Sequence, residues 1–390
     1  MLSFNDTAIA FSGKTDNDLR RSYWLFKLVG NSNLVNVGQK LTTFAINTHL
    51  PIRGFIKATI FRQFCGGENI TECLETVEAL GKYNVGSILD YSVEGKAEEN
   101  VFDQTAHEII ETLDLAKQNK HIPFAVFKPT GLGDINLMEK VNSNAKLSAE
   151  EQKAWERVIA RFDSICSKAH DIKVKLLIDA EESWIQNAVD GLAQKMMAKY
   201  NKEQCIVFNT AQMYRNDRLI YLKNALNDAK EKKYYFGVKV VRGAYMEKER
   251  ARAAKMGYAS PINSTKAETD AEYNSALEFC IKNIEFVSVC AGTHNEDSAM
   301  LLVKLMQQNN IPVNHPHVWF SQLLGMSDHI SFNIANAGYN VAKYVPYGPV
   351  RDVLPYLIRR AMENTSVKGQ TGRELSLIIK EQQRRAASKN

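Results

Sequence analysis

The chain has 390 residues, 45% of them hydrophobic, and its 49 basic residues are offset by 44 acidic ones to leave a formal charge of +5. So small an excess, interleaved along the chain, gives no basic stripe for a nucleic-acid partner, and the length suits one large domain with an appendage. No apolar run is long enough to cross a bilayer, no secretory signal is found, and the six cysteines stand singly, which points to an intracellular, cytoplasmic protein with reduced, buried thiols.

Residues 1–82 read as a helical segment. "RRSYWLFKLVG" and "LTTFAINTHL" are apolar clusters, and "TECLETVEALGKY" places Leu74, Val77 and Leu80 on one helical face. From residue 83 the texture changes. "VGSILDYSVE", "IPFAVFKPTG", "VKLLIDAEE", "CIVFNTAQMY", "GVKVVRGAY", "FVSVCAGTHN", "HVWFSQLLG" and "VAKYVPYG" are eight strand-like runs, each followed by helical sequence. Strands apolar on both faces with helical crossovers predict a (β/α)8 TIM barrel over 83–372, with chemistry at the C-terminal strand ends. A doubly wound open sheet would need a phosphate-binding turn, and the nearest candidate, "GLGDIN", lacks the third glycine. A last helix over 373–390, "ELSLIIKEQQRRAASKN", joins Leu375, Leu377, Ile378 and Ile379 to a basic end, fitting either a packed terminal helix or a peripheral contact with the inner face of a membrane.

Because residues two apart share a strand face, Lys128, Asp179, Gln212 and Lys239 each put one polar group near the C-terminal end of a different strand. Buried charges must be paired or neutralised, so four such positions together predict a polar ligand rather than packing. After the eighth strand, Asp352 is a candidate N-cap and Pro355 suits a first helical turn. Tyr356, Arg359, Arg360 and Glu363 then follow i, i+3, i+4, i+7 spacing on one face. Two guanidiniums offer forked donors for a carboxylate or phosphate. Tyr344 and Tyr356 provide apolar walls, and Glu94 at the end of the first strand is placed to pair with an arginine. No metal is expected: His315 and His317 flank Pro316 with no cysteine pair nearby. The residues alone predict a small carboxylate ligand under an aromatic roof and leave its use open, with a barrel aldolase or lyase using Lys128 or Lys239 as a Schiff-base amine and a non-catalytic carboxylate-binding or scaffold protein among the readings.

"LDYSVEG", "LLIDAEES", "KVVRGAYMEKERARA", "AGTHNED" and "KYVPYGPVRDVLPYLIRRAMENTSV" closely resemble, in order, the motifs of the proline dehydrogenase family, including the catalytic domain of the bifunctional proline utilisation flavoproteins. The resemblance covers essentially 85 to 370. It implies a distorted (β/α)8 barrel with non-covalent FAD that oxidises L-proline to Δ1-pyrroline-5-carboxylate and passes electrons to a membrane quinone. It implies catalytic roles for Asp179 and Lys239, and proline carboxylate binding by Lys128, Arg359 and Arg360. Tyr344, Tyr356 and Leu323 complete the implied substrate pocket. Ala180, Gln212, Lys239, Arg242, Gly243, Ala244, Thr293, His294 and Glu363 are implied on the flavin side, with Glu94 and Arg359 as a gate. Lys239 replaces an arginine of the bifunctional enzymes, keeping the charge and losing the fork. The resemblance further implies product hand-over to a separate pyrroline-5-carboxylate dehydrogenase. A 4-hydroxyproline dehydrogenase is the alternative, and the aromatic Tyr344, at a position that resembles a ring-specificity switch, favours proline.

Overall fold

Each of the eight apolar runs becomes a parallel strand in the computed structural model of the chain, which describes residues 2–29, 53–92, 98–366 and 370–389. They are β1 (Gly86–Tyr91), β2 (Phe124–Phe127), β3 (Lys175–Ile178), β4 (Val207–Gln212), β5 (Phe236–Val241), β6 (Val287–Gly292), β7 (Val318–Leu323) and β8 (Val341–Tyr347). The strands close in sequence order into a barrel. Helices intervene because parallel neighbours need long crossovers. Burial on both faces explains why β4 and β8 show no polar alternation: every residue in both is buried.

The chain falls into two compact units, Gly95–Ser321 and Met1–Glu94 with Gln322–Asn390. In the first, register partners stack side chains in layers: Phe124 lies opposite Lys175, Leu177 opposite Phe208, and Lys239 opposite both Thr210 and Cys290. Phe124 meets Phe208 and Trp319 edge-on at 5.6 and 5.1 Å between ring centroids. Lys175 lies over the Phe124 and Trp319 rings at 5.7 and 5.2 Å. This aromatic layer belongs to the early strand residues, which leaves the later ones to carry the polar groups. Several crossover helices start on local signals. Ser148 and Thr265 form capping boxes on Ala149–Ile172 and Lys266–Lys282. Asp134 accepts from the amides of Asn136 and Leu137 at the start of Ile135–Asn142, so "GLGDIN" is a helix cap and not a nucleotide turn.

In the second unit, β1 pairs with β8 from Gly86 opposite Ala342 to Tyr91 opposite Tyr347. The Ile70–Gly81 helix buries Cys73, Val77 and Leu80, and its N-cap is Asn69. Leu377 and Ile378 of the Gln370–Ala387 helix enter one apolar cluster with Phe11, Leu19 and Phe26. The apolar face of the terminal helix thus packs against Leu19 and Phe26 of the Asp16–Val29 helix and against Phe11. Arg385 fastens the contact, donating to Phe11 O, Lys14 O and Asp16 Oδ1 at 2.8 to 2.9 Å. "LTTFAINTHL" lies outside the described residues. All six cysteines are buried free thiols. Among the described residues no helix is long and apolar enough to cross a membrane.

Candidate active site

At the polar end of the Gly95–Ser321 unit, Lys239 is 4% exposed and its Nζ lies 2.5 Å from Oδ1 of Asp179, the residue that follows β3. The amide of Asp179 donates to Phe127 O at 3.0 Å, so the carboxylate hangs from a strand-like backbone position. Lone charges at such depth cost several kcal/mol, and the pairing offsets that cost for both residues.

Gln212 ends β4. Its Nε2 donates to Glu181 O at 2.6 Å, while its buried Oε1 has no hydrogen-bond partner among the described residues. Leaving an amide oxygen unsatisfied costs about 1–3 kcal/mol, which a donor on a bound group would offset. Arg242 follows β5 and is fully engaged with protein: it donates to Asp270 Oδ1 at 2.9 Å, Thr293 Oγ1 at 3.0 Å and Ser298 Oγ at 2.8 Å, and its guanidinium lies 4.1 Å from the Tyr273 ring centroid. This anchors the turn Arg242–Ala244 to the loop after β6. Gly243 within it has φ +108°, a conformation that excludes L side chains, and a Cβ there would meet nothing within 4 Å. Gly243 and Ala244 therefore expose backbone beside open space. Lys128, Ala180 and His294 are half-buried at the ends of β2, β3 and β6, and Thr293 is buried.

In the other unit, Tyr344 of β8 is buried and its carbonyl accepts from Leu324 N at 2.8 Å, next to Leu323. The Leu354–Ser366 helix starts with Pro355 in its first turn, as its sequence predicts. Asp352 falls one residue short of the flanking position, because the amides of both Asp352 and Val353 turn back to Pro349 O at 2.8 and 3.1 Å. Tyr356, on the same helical face as Arg359 and Arg360, enters a cluster with Phe61, Phe64, Val353 and Leu357, against which Leu323 also packs. Arg360 lies over the Tyr356 ring at 5.2 Å, and Arg359 and Arg360 are both half-buried. These arginines are thus no evenly solvated edge. Glu94 lies outside the described residues, as does the side chain of Glu363.

A family model described as "Proline dehydrogenase" matches residues 73–373. The chain belongs to the proline dehydrogenase family. Among curated relatives, "Proline dehydrogenase 1, mitochondrial" of Dictyostelium discoideum is 33% identical, over 97% of this chain and 74% of its own length. "Proline dehydrogenase 2, mitochondrial" of Arabidopsis thaliana is 30% identical, over 98% of this chain and 90% of its own. "Carbapenem antibiotics biosynthesis protein CarD" of Pectobacterium carotovorum is 33% identical over 83% of each. Among solved structures, proline utilization A from Bdellovibrio bacteriovorus inactivated by N-propargylglycine superposes with a TM-score of 0.73 at 19% identity, over 92% of this chain and 38% of that one. That likeness shows the barrel fold of this proline dehydrogenase family member and nothing finer.

Two groups in the family member escape the strand-end reading. Glu181 is buried, and its carboxylate accepts from Thr130 N at 2.9 Å and Thr130 Oγ1 at 2.6 Å. Burial, and then the neighbouring Glu182 carboxylate, push the Glu181 carboxyl up to about 7, against the hydrogen bonds of Thr130 and the charge of Lys128. Its period-2 relation to Asp179 was the available signal. Lys343, fully buried in β8, is bound to Asp328 Oδ1 at 2.8 Å and Met326 O at 2.7 Å. Nothing in "VAKYVPYG" announces a partner fifteen residues upstream.

Proposed function

We propose that this protein oxidises L-proline to Δ1-pyrroline-5-carboxylate, with non-covalent FAD as hydride acceptor and a membrane quinone as the onward electron acceptor. The observation that carries the reading is the Lys239–Asp179 pair at 2.5 Å, together with the unsatisfied Oε1 of Gln212 at the end of β4, the strand between β3 and β5. An orphaned acceptor and an exposed glycine turn fit a large bound group that brings its own donors, as a flavin does. When bound, the flavin supplies a two-electron acceptor that no side chain provides. With the acceptor bound, Lys239 would oppose the negative charge that the acceptor gains, since loss of hydride leaves the substrate itself positive, and Asp179 fixes that ammonium at 2.5 Å. Lys128, Arg359 and Arg360 hold the carboxylate through charge-assisted hydrogen bonds. Tyr344, Tyr356 and Leu323 enclose the ring and exclude water. The product passes on to a pyrroline-5-carboxylate dehydrogenase.

Protein purified with FAD is expected to show flavin absorption that bleaches on anaerobic addition of L-proline and returns on adding a soluble quinone. A colourless protein that stays inactive after FAD is supplied would sink the proposal.

Ring specificity is a second expected result. A tyrosine closing over C4 of the substrate leaves no volume for a hydroxyl, which would lose water without a certain hydrogen-bond partner. Wild type should therefore favour proline over trans-4-hydroxy-L-proline in kcat/KM. Tyr344→Ser should narrow that ratio chiefly by lowering efficiency on proline. An unchanged ratio removes Tyr344 from the specificity argument.

A further inference from the structure

We propose that Glu181 is a positioning residue whose ionised carboxylate ties the turn after β2, and with it Lys128, to the end of β3. The inference rests on the proline dehydrogenase reading for its kinetic consequence only. Lys128 immediately precedes the 3-10 turn Pro129–Gly131, and the amide of Gly131 donates back to Lys128 O at 3.0 Å. Thr130, at the middle of this turn, gives Glu181 both its backbone N–H and its hydroxyl, at 2.9 and 2.6 Å, one to each carboxylate oxygen. The Glu181 carbonyl is meanwhile taken by Gln212 Nε2 at 2.6 Å. One residue thus joins the ends of β2, β3 and β4, and it lies two positions beyond Asp179, the partner of Lys239. Nothing in the chemistry of hydride transfer calls for a second buried carboxylate here. Its contacts show what it does instead: they set where the β2 turn, and therefore Lys128, stands.

The clamp changes strength with protonation. As a carboxylate, Glu181 makes two charge-assisted bonds and faces the positive Lys128; as an acid it makes two neutral ones, which are about half as strong. The other charges nearby are Glu182, whose carboxylate is bound by Lys248, and the Lys239–Asp179 pair. Glutamine mimics the acid form, since its oxygen can accept from Thr130 N while its NH2 donates to Thr130 Oγ1. Alanine removes the clamp.

The test is KM for proline of the FAD-loaded full chain across pH 6 to 9 in wild type, Glu181→Gln and Glu181→Ala. At pH 8.5, KM should rise about fivefold in Glu181→Gln and about tenfold or more in Glu181→Ala, with kcat within about threefold of wild type. The Glu181→Gln to wild-type KM ratio should collapse toward one as pH falls below about 7, where wild type acquires the same neutral clamp. Dividing by the variant cancels ionisation of the substrate amine. A ratio that stays constant across the range, or an unchanged KM in Glu181→Ala, overturns the proposal.

Two readouts need no turnover. Exchange of the Thr130 amide proton should be faster in Glu181→Ala than in wild type. A carboxyl raised on folding costs stability as pH climbs through its folded value, so the melting temperature of Glu181→Gln relative to wild type should increase between pH 5 and pH 8. If wild type fails to oxidise proline, the functional reading falls, and slow, unchanged Thr130 exchange in Glu181→Ala remains the result that overturns the clamp.

Discussion

Lys239→Met is expected to lower kcat/KM for proline by on the order of 100-fold or more, the scale seen when a preorganised electrostatic group is removed from a site where charge develops. The same substitution removes the countercharge of the Asp179 carboxylate, whose Oδ1 lies 2.5 Å from Nζ. Breaking one side of a buried pair costs about 3–5 kcal/mol, whereas removing both sides in an apolar setting is often close to neutral. Stability measurements therefore separate the two roles of the pair. Lys239→Met and Asp179→Asn should each destabilise, and the double variant should be no less stable than the worse single one, while its activity stays low. Losses that simply add in a double-mutant cycle would show that the pair is not coupled. Lys239→Arg keeps the charge and should recover more activity than Lys239→Met.

The barrel was legible because its strands are covered on both faces, which turns each into a continuous apolar run such as the one ending in Ile178. Period-2 counting also put Lys239 and Asp179 near the C-terminal ends of their strands; Asp179 directly follows β3, and Lys239 lies two residues before the end of β5. It did not pair them, because their separation of 60 residues is closed by the curvature of the sheet and leaves no mark in local sequence. Glu181 was hidden for a different reason: one of its two partners is the backbone amide of Thr130, and any residue but proline brings such a donor. The terminal helix shows the same limit in apolar form. Leu377 and Ile378 predict a face that must be covered, and the fold decides by what: Phe11, and Leu19 and Phe26 of the Asp16–Val29 helix. Tyr356 keeps its helical spacing to Arg360, whose guanidinium lies over its ring, while the same ring enters a core cluster that the spacing alone does not announce.

Asp328→Asn is expected to destabilise the protein by about 3–5 kcal/mol, since it strips the countercharge from two lysines at once. Oδ1 of Asp328 contacts Lys343 Nζ at 2.8 Å and Oδ2 contacts Lys14 Nζ at 2.9 Å. Lys343 has no exposure at all, and carbonyls of Met326 and Leu323 at 2.7 and 3.3 Å remain as acceptors for its ammonium without neutralising it. Burial by itself would raise the Asp328 carboxyl; the charges and hydrogen bonds of Lys14 and Lys343 overcome it and hold the group well below the ordinary carboxylate range. A carboxyl lowered on folding contributes stability that is complete above its unfolded value, about 3.9, and is lost as pH falls toward the folded one. The gap between wild type and Asp328→Asn in urea denaturation should accordingly be flat from pH 5 to 8 and shrink below about pH 4. A gap that is small at pH 7, or that widens on acidification, would show that the lysines find other compensation. The consequence reaches the candidate site through geometry. Lys343 and Tyr344 are adjacent on β8 and point to opposite faces, and Asp328 opens the helix that follows β7, where Leu323 lies. Fixing Lys343 to that loop from behind therefore fixes Tyr344 and Leu323 in front, so a mild disturbance such as Lys14→Met should cost stability first and, at temperatures where the fold persists, loosen discrimination between proline and its 4-hydroxy derivative.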